Sequence, residues 1–440
     1  MALAFCIEDL LCVFNQHLHL LLRIEPTCYK PTDGSLATSL AEDVLTLMET
    51  QRSVLRHFVD ENDCPETIFE EGMLFVLECL KDHQLRHRPL YLITLTDTCA
   101  AANNFLRMSE RMEVLVRDFS SNPLQTAGQA LVYQYSQDAV LAAERAQIFI
   151  FRHVQQQTNI PRDLFHATWE DDYTHNEVVA GLLEVTDKFL VDIEGYIANQ
   201  YLYDKTLLIT ARGLICFYIR CLLQKAEGIA RTRRRPREFI QDKRNLPFRS
   251  PKRALRRMTD DIVMIRGFFE SRTKTNVPLF RMIRSELNTL ELIHDVLFAT
   301  YEDPASIECF IVVLHKRTGA DILVTRHFVS DLWLLVASQD HRSLREVAHA
   351  LRTMQPDLQM VSSRMKERAT GTELSFARLD EMLKVMYEDR LVQGLLPVCW
   401  TCLPKDLVKD GDDAVVAQGI RKITRGVVEL GLGKRKTSSG

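Results

Sequence analysis

Apolar side chains recur at helical spacing along much of the chain. The clearest stripe runs from Val178 to Ile197 at intervals of three and four residues, with charged side chains on the opposite face. Similar stripes run from Leu279 to Leu297 and from Phe328 to Val336. This period predicts amphipathic α-helices. Each stripe is wide enough to pack against several neighbours, which favours stacked helical bundles over a single coiled-coil seam.

Short turn sequences separate the predicted helices. Ser120–Pro123 and Asn159–Pro161 carry the Ser, Asn and Pro residues that are typical of helix N-termini. Thr259–Asp261 is predicted to cap the helix that follows it, and Asn276–Pro278 to open the next one. Only Ile311–Leu314 has strand character, and four residues do not decide between strand and buried helix. With 17 Gly and 14 Pro in 440 residues, the chain lacks the many turns of a β protein, so an all-α fold is predicted.

The same breaks divide the chain into parts. We predict an N-terminal helical bundle over residues 1–158 and C-terminal helical bundles over residues 159–435. A basic loop over residues 229–257 is expected to interrupt the second part. Residues 436–440 end a Gly, Lys and Ser-rich stretch and are expected to form a disordered tail.

No segment is predicted to cross a membrane. Leu10–Leu22 is too short for a bilayer core, and Thr206–Ile219 is interrupted by Arg212. The first residues include Glu8 and Asp9 and lack a basic stretch, which argues against a secretory signal. The 11 Cys are odd in number and irregularly spaced. These features predict reduced thiols and a cytoplasmic location.

Three pairs of side chains have the spacing of metal or redox sites, but none belongs to a complete set. The pairs are Cys399 with Cys402, His83 with His87, and Asp172 with His175. A zinc site needs four ligands, and a bundle carboxylate site needs a second copy of its motif. The sequence also contains no Gly-rich phosphate loop and no nucleophile elbow. We therefore predict no metal, no cofactor and no enzymatic activity.

The most asymmetric charge lies between Ile229 and Met258. This stretch holds twelve basic and two acidic side chains, whereas the whole chain has a net charge of -4. Clustered charge attracts an anionic partner, because salt screens isolated charges beyond about 8–10 Å. The candidate residues for binding anionic lipid are Arg231, Arg233, Arg234, Arg235, Arg237, Lys243, Arg244, Lys252, Arg253, Arg256 and Arg257.

Several interpretations of this basic segment (residues 229–257) stay open. It could be a solvated loop, or a localisation signal. The interleaved apolar residues Phe239, Ile240, Leu246 and Phe248 suit an anionic membrane surface, and they could equally stack on nucleic-acid bases. Ser250 precedes a proline beside these cations, which makes it a hypothetical phosphorylation site that would weaken anion binding.

Residues 169–297 resemble a known family in the order of their motifs. The motifs are Trp169–Tyr173, Phe189–Tyr196, Tyr201–Tyr203, the apolar helix Leu207–Leu223, Asp260–Phe269 and Glu286–Ile293. Together they resemble the C-terminal half of exocyst complex component three, the Sec-six type subunit of the vesicle-tethering exocyst. In that family a helix with an Asp-x6-Phe-Phe ending follows a charged break, as Asp261, Phe268 and Phe269 do here.

The resemblance implies an elongated rod of stacked antiparallel helical bundles. It also implies a subunit of a complex that docks secretory vesicles at the plasma membrane before fusion, with other exocyst subunits and SNARE proteins as partners. The chain would then be cytoplasmic and peripheral at the plasma membrane. Family members carry a long N-terminal coiled-coil arm, which we expect this chain to lack. The alternative from the residues alone is an all-α nucleic-acid-binding protein that uses residues 231–257.

Overall fold

The computed structural model describes residues 28–29, 36–58, 65–86, 94–171, 176–234, 246–302 and 335–336. The helices in this part are α1 Ser39–Phe58, α2 Pro65–Arg86, α3 Leu95–Arg117, α4 Asn122–Arg145, α5 Gln147–Gln157, α6 Ile160–Asp163, α7 Ala167–Glu170, α8 Glu177–Tyr196, α9 Gln200–Arg234, α10 Pro251–Arg272 and α11 Val277–Glu302. The predicted all-α class, with antiparallel packed helices, is confirmed.

Within the described residues, two short strands precede the helices and form no core of their own. Strand β1 (Cys28–Tyr29) pairs antiparallel with β2 (Ala37–Thr38) over two residues each. The backbone N–H of Leu36 donates to the Tyr196 carbonyl over 3.0 Å. The Asn103 amide donates to both the Leu36 and the Tyr196 carbonyls. Leu36, which directly precedes β2, therefore fastens the chain before α1 to the end of α8 and to α3.

Helices α3 and α4 form an antiparallel hairpin, and each begins with a side-chain cap. Thr94 and Asp97 make a reciprocal capping box at the start of α3. Ser121 caps α4 by accepting the Leu124 N–H, as the turn prediction at residues 120–123 requires. The Tyr135 hydroxyl of α4 also donates to the Leu77 carbonyl over 2.6 Å, which joins the hairpin to α2.

The hairpin closes tightly at Gly128, where the two backbones approach. A Cβ added there would lie 2.6 Å from Val116 Cγ2 and 2.7 Å from Cγ1, and Val116 is fully buried. We expect Gly128→Ala to lower the free energy of unfolding by about 1–3 kcal/mol, because an overpacked core must shift. Gly267, exposed on α10 with open space around its Cβ position, is the control. Gly267→Ala should raise stability by about 1 kcal/mol. A urea titration in which both variants gain stability would contradict the close approach.

Helix α9 lies at the centre of the described core. The segment Gln200–Ala226 has the length and composition of a membrane span, but 89% of its apolar window is buried inside the protein, as in a core helix. Arg212, one of the charged residues in this segment, donates through Nε and Nη2 to Glu286 on α11 over 2.9 and 2.8 Å. On another side of α9, the Thr206 hydroxyl donates to the Ala143 carbonyl of α4.

Helices α8, α10 and α11 complete the described fold. The apolar stripe predicted for Val178–Ile197 is confirmed, since its inward residues are the buried face of α8. Arg272 at the end of α10 forms ion pairs with Asp187 and Glu194 of α8. Asn276 accepts the Leu279 N–H and opens α11 as predicted.

The predicted cap at Thr259–Asp261 is wrong. Helix α10 begins at Pro251, with Ser250 as its N-cap, so Asp261 lies in the helix interior. Proline at the first helical position has a fixed φ that suits a helix start.

The predicted basic loop at residues 229–257 also has different limits, because α9 extends to Arg234 and α10 already includes residues 251–257. The domain limits at 158 and 435 stay predictions, and residues 311–314 and most of 328–336 lie outside the described residues.

Candidate functional site: the basic segment and the polar cluster beneath it

The structure places part of the predicted basic site. Arg231, Arg233 and Arg234 belong to the last turns of α9, and their side chains are outside the description; Arg235, Arg237, Lys243 and Arg244 lie outside the described residues. On α10, Lys252, Arg253 and Arg256 are exposed and Arg257 is half-buried. Four of the eleven candidates therefore share the first two turns of one helix. Their role in lipid binding stays a prediction.

The exposed cations of α10 oppose the dipole of their own helix. Lys252 and Arg253 lie in the first turn, which contains no acidic residue. A helix N-terminus carries about half a positive charge, so cations there cost roughly 0.3–1 kcal/mol each at low salt. The N-cap Ser250 accepts no side-chain cap hydrogen bond either. Helix stability therefore does not account for these cations.

The segment that leads into α10 is fastened to the fold at residues 246–250, which we call the anchor. Phe248 donates its backbone N–H to the Leu335 carbonyl over 2.9 Å. Arg249 donates its backbone N–H to Glu170 Oε2 over 2.8 Å. The anchor is thus held through its backbone, which leaves the Arg249 guanidinium largely exposed and 3.9 Å from Asp171.

The Phe248 ring packs inside the core and holds the anchor against it. It is 5% exposed, and its centroid lies 5.9 Å from the Trp169 ring of α7. On α9, Lys225 places its Nζ 5.2 Å from the Phe248 centroid. Lys225 is itself buried, and this burial lowers its pKa to about 8, although the charge of Glu170 opposes the change. One buried aromatic ring therefore joins the basic segment to α7 and α9.

A buried carboxylate is hydrogen-bonded to the same Trp169. Asp261 of α10 is fully buried and accepts hydrogen bonds from Trp169 Nε1 over 3.0 Å and from the Tyr218 hydroxyl over 2.7 Å. It also accepts from the side-chain amide of Asn176, the N-cap of α8. We call Asp261, Trp169, Asn176 and Tyr218 the buried polar cluster. It ties together α7, α8, α9 and α10.

Burial changes the acidity of the groups in this cluster. It raises the pKa of Asp261 to about 7, against the lowering effects of the Tyr218 and Trp169 hydrogen bonds and the Arg257 charge. Burial and the nearby Asp261 charge raise the pKa of Tyr218 well above its ordinary value. Burial also raises the pKa of Glu170. Several displaced pKa values in one place indicate a candidate functional site, and structural networks produce them as well.

Phe165 adds backbone strain next to the cluster. Its φ is 65°, in the left-handed region that a bulky residue rarely adopts. Its fully buried ring makes edge contacts with Trp169 at 4.9 Å and Tyr218 at 4.7 Å between centroids. Such a backbone conformation costs about 1–3 kcal/mol, so the surrounding packing must hold it in place. The ring contacts two of the three hydrogen-bond donors of Asp261, Trp169 and Tyr218, and keeps them in position.

The sequence contained one signal for this cluster that the capping interpretation missed. Asp261 occupies an inward position of the α10 stripe, between the buried residues Met258 and Ile265. A carboxylate at such a position must find hydrogen-bond partners inside the fold. Trp169 is 92 residues away along the chain, so the spacing of the motifs could not identify it as the partner.

The candidate metal pairs receive no support from the described residues. Within those residues, no group of three or more His, Cys, Asp or Glu side chains could hold a metal ion. Asp172 and His175, Cys399 and Cys402, and His87 lie outside the described residues, and the side chain of His83 is not described either.

Comparison with solved structures finds a likeness to an exocyst domain. No protein-family model matches the chain. No curated protein matches it either. Among solved structures, the chain is similar to the C-terminal domain of the exocyst subunit Sec6p, with a TM-score of 0.49 and 12% sequence identity over 81% of this chain and 91% of that domain. At this level of similarity, neither family membership nor function follows from the comparison.

Proposed function

We propose that the chain is a subunit of the exocyst tethering complex, which docks secretory vesicles at the plasma membrane in exocytosis. In this role it binds other exocyst subunits and SNARE proteins through its helical surfaces, and anionic membrane lipids weakly through the basic segment. It works in the cytoplasm, peripherally at the plasma membrane, and by binding rather than by catalysis. The motif order over residues 169–297 supports the assignment to this complex.

The observation that carries the lipid part of the proposal is the first turn of α10. Its exposed cations act against the helix dipole, so a role outside the helix explains them better than helix stability does. Near an anionic leaflet each cation contributes about 1 kcal/mol. A few such contacts give weak binding, which becomes useful when other subunits of a complex also touch the membrane.

We expect Lys252→Glu/Arg253→Glu to weaken binding to phosphatidylserine vesicles by about 10- to 100-fold at 0.1 M salt, since two attractive charges become repulsive. The helix itself should be preserved, because acidic residues suit an N-terminal first turn. The matched control is Lys274→Glu/Arg281→Glu, which reverses two exposed cations, one in the turn after α10 and one on α11. Vesicle sedimentation measures both. Equal binding of the two variants would remove the lipid part of the proposal.

Two further comparisons separate the complete proposal from its alternative. Affinity purification of the tagged chain from its native cells, followed by mass spectrometry, should recover other exocyst subunits; their absence would contradict membership of the complex. A nucleic-acid-binding protein would instead retain an RNA or DNA homopolymer, with an affinity that falls steeply as salt rises. We expect the homopolymer to bind more weakly than anionic vesicles at the same salt concentration.

A further inference from the structure

The buried polar cluster connects one titratable group to the anchor of the basic segment. Asp261 accepts hydrogen bonds from neutral side chains of three other elements, at Trp169, Asn176 and Tyr218. We propose that Asp261 and these donors form a proton-controlled latch, which holds the anchor of the basic segment closed while the carboxyl group is protonated. The latch stands independently as a conformational device; its effect on anionic surfaces rests on the proposed function.

A short path connects the carboxyl group to the anchor. Trp169 donates to Asp261 at one edge and contacts the Phe248 ring of the anchor, with 5.9 Å between ring centroids. The next residue, Glu170, accepts the backbone N–H of Arg249. Any movement of Trp169 therefore disturbs two attachments of the anchor at once. Phe165 packs on Trp169 and Tyr218 together, so the two donors are coupled to each other.

Charged groups of the surrounding elements shift the equilibrium between the protonated and the ionised form of Asp261. On its own helix, the charge of Arg257 favours the ionised form and that of Asp260 opposes it. From α9, Tyr218 donates to Asp261, and Lys225 lies farther along beside Phe248. From α7, Glu170 faces the anchor backbone. From α11, His294 contacts Thr259, Glu291 pairs with Arg266, and the charge of Arg284 acts on Arg266 as well.

The difference between the pKa values of Asp261 in the closed and open forms determines which form protonation favours. The closed cluster holds the Asp261 proton with a pKa of about 7, whereas a carboxyl group in water has a pKa of about 3.9. Protonation therefore favours the closed form, and rising pH favours the open one. If the Asp261 carboxyl group is fully exposed to water in the open form, the ratio of open to closed forms rises about tenfold between pH 6 and pH 8. Well above pH 7 this ratio is constant.

Trp169 fluorescence provides a direct test. The chain has 3 Trp, so Trp333→Phe/Trp400→Phe leaves Trp169 as the reporter. Between pH 5.5 and 8.5 we expect a one-proton transition with its midpoint within about one unit of 7. Asp261→Asn should abolish this transition. Asp260→Asn should keep it and lower its midpoint, because a neighbouring negative charge is removed. A transition that persists in Asp261→Asn comes from another group, such as a histidine, and would overturn the proposal.

A second variant keeps the test decisive if Asp261→Asn does not fold. Tyr218→Phe removes one donor to the carboxylate while it retains the buried ring. Because that hydrogen bond favours the ionised form, its loss should raise the midpoint. A midpoint that stays in place or falls would contradict the latch.

Hydrogen exchange then shows whether the anchor follows the proton. The amides of Phe248 and Arg249 are bonded to Leu335 and Glu170. After correction for the intrinsic exchange rate, their protection should fall about tenfold from pH 6 to pH 8 and stay constant in Asp261→Asn. Equal pH dependence in both proteins would contradict the coupling between protonation of Asp261 and opening of the anchor. Neither readout involves lipid, so a vesicle-binding failure with an intact transition would remove the proposed function and leave the latch standing.

Discussion

Glu70→Ala is expected to lower the free energy of unfolding by about 3–5 kcal/mol, because it leaves a buried arginine without its carboxylate. Glu70 is fully buried on α2 and lies 3.2 Å from Arg52 Nη2 of α1. It also accepts the backbone N–H and the hydroxyl of Ser120. Arg52 in turn donates to the Leu115 and Asp118 carbonyls at the end of α3. The pair thus fastens three helices.

The control for this prediction is the exposed ion pair between Arg111 and Glu49, which are 34% and 48% exposed. Such surface pairs contribute about 0–1 kcal/mol, so Glu49→Ala should have a small effect. Urea denaturation followed by circular dichroism measures both variants. If Glu70→Ala costs no more than Glu49→Ala, the buried network does not stabilise the fold as argued.

Trp169→Ala is expected to cost about 3–5 kcal/mol as well, since it empties the site of a fully buried ring. The loss has two parts, the ring contacts with Phe165 and Phe248 and the hydrogen bond to Asp261. Trp169→Phe retains most of the ring and removes the N–H. It should cost about 1–3 kcal/mol, the price of a buried acceptor that has lost a donor.

A double-mutant cycle isolates the hydrogen bond between Trp169 and Asp261. Where Asp261 is already Asn, the charge that the indole N–H stabilises is absent, so Trp169→Phe should cost less than in the parent protein at pH 8. The difference between the cost of Trp169→Phe in the parent protein and in Asp261→Asn should shrink at pH 5, because the Asp261 carboxyl group is then protonated in the native state. Strict additivity at pH 8 would mean that the two side chains do not interact.

Local patterns were sufficient to predict much of the fold. The stripe of α8 and the caps at Ser121 and Asn276 are encoded within a few residues, so spacing and capping chemistry located them. The start of α10 was misplaced because Thr259–Asp261 resembles a cap in isolation. The actual start combines Pro251 with a cationic first turn that sequence rules disfavour.

The candidate site could be predicted only in part, for a physical reason. The cations of the basic segment are visible as composition, but their attachment depends on contacts between residues far apart in the chain. Trp169 reaches Asp261 over 92 positions, and Glu170 reaches Arg249 over 79. No periodicity links such residues, and the packing of α7 against α10 brings them together.

The apolar core helix α9 also imposes an order on biosynthesis. The ribosome completes this segment before α10 and α11 exist, so part of its surface is then uncovered. During that interval the nascent chain displays a stretch as apolar as a bilayer span, followed at once by arginines. Hydropathy of this kind, with arginines on one side, is the sequence pattern of membrane-spanning helices. The preceding helices must therefore shield α9 quickly, or the nascent chain will need a chaperone until α11 emerges.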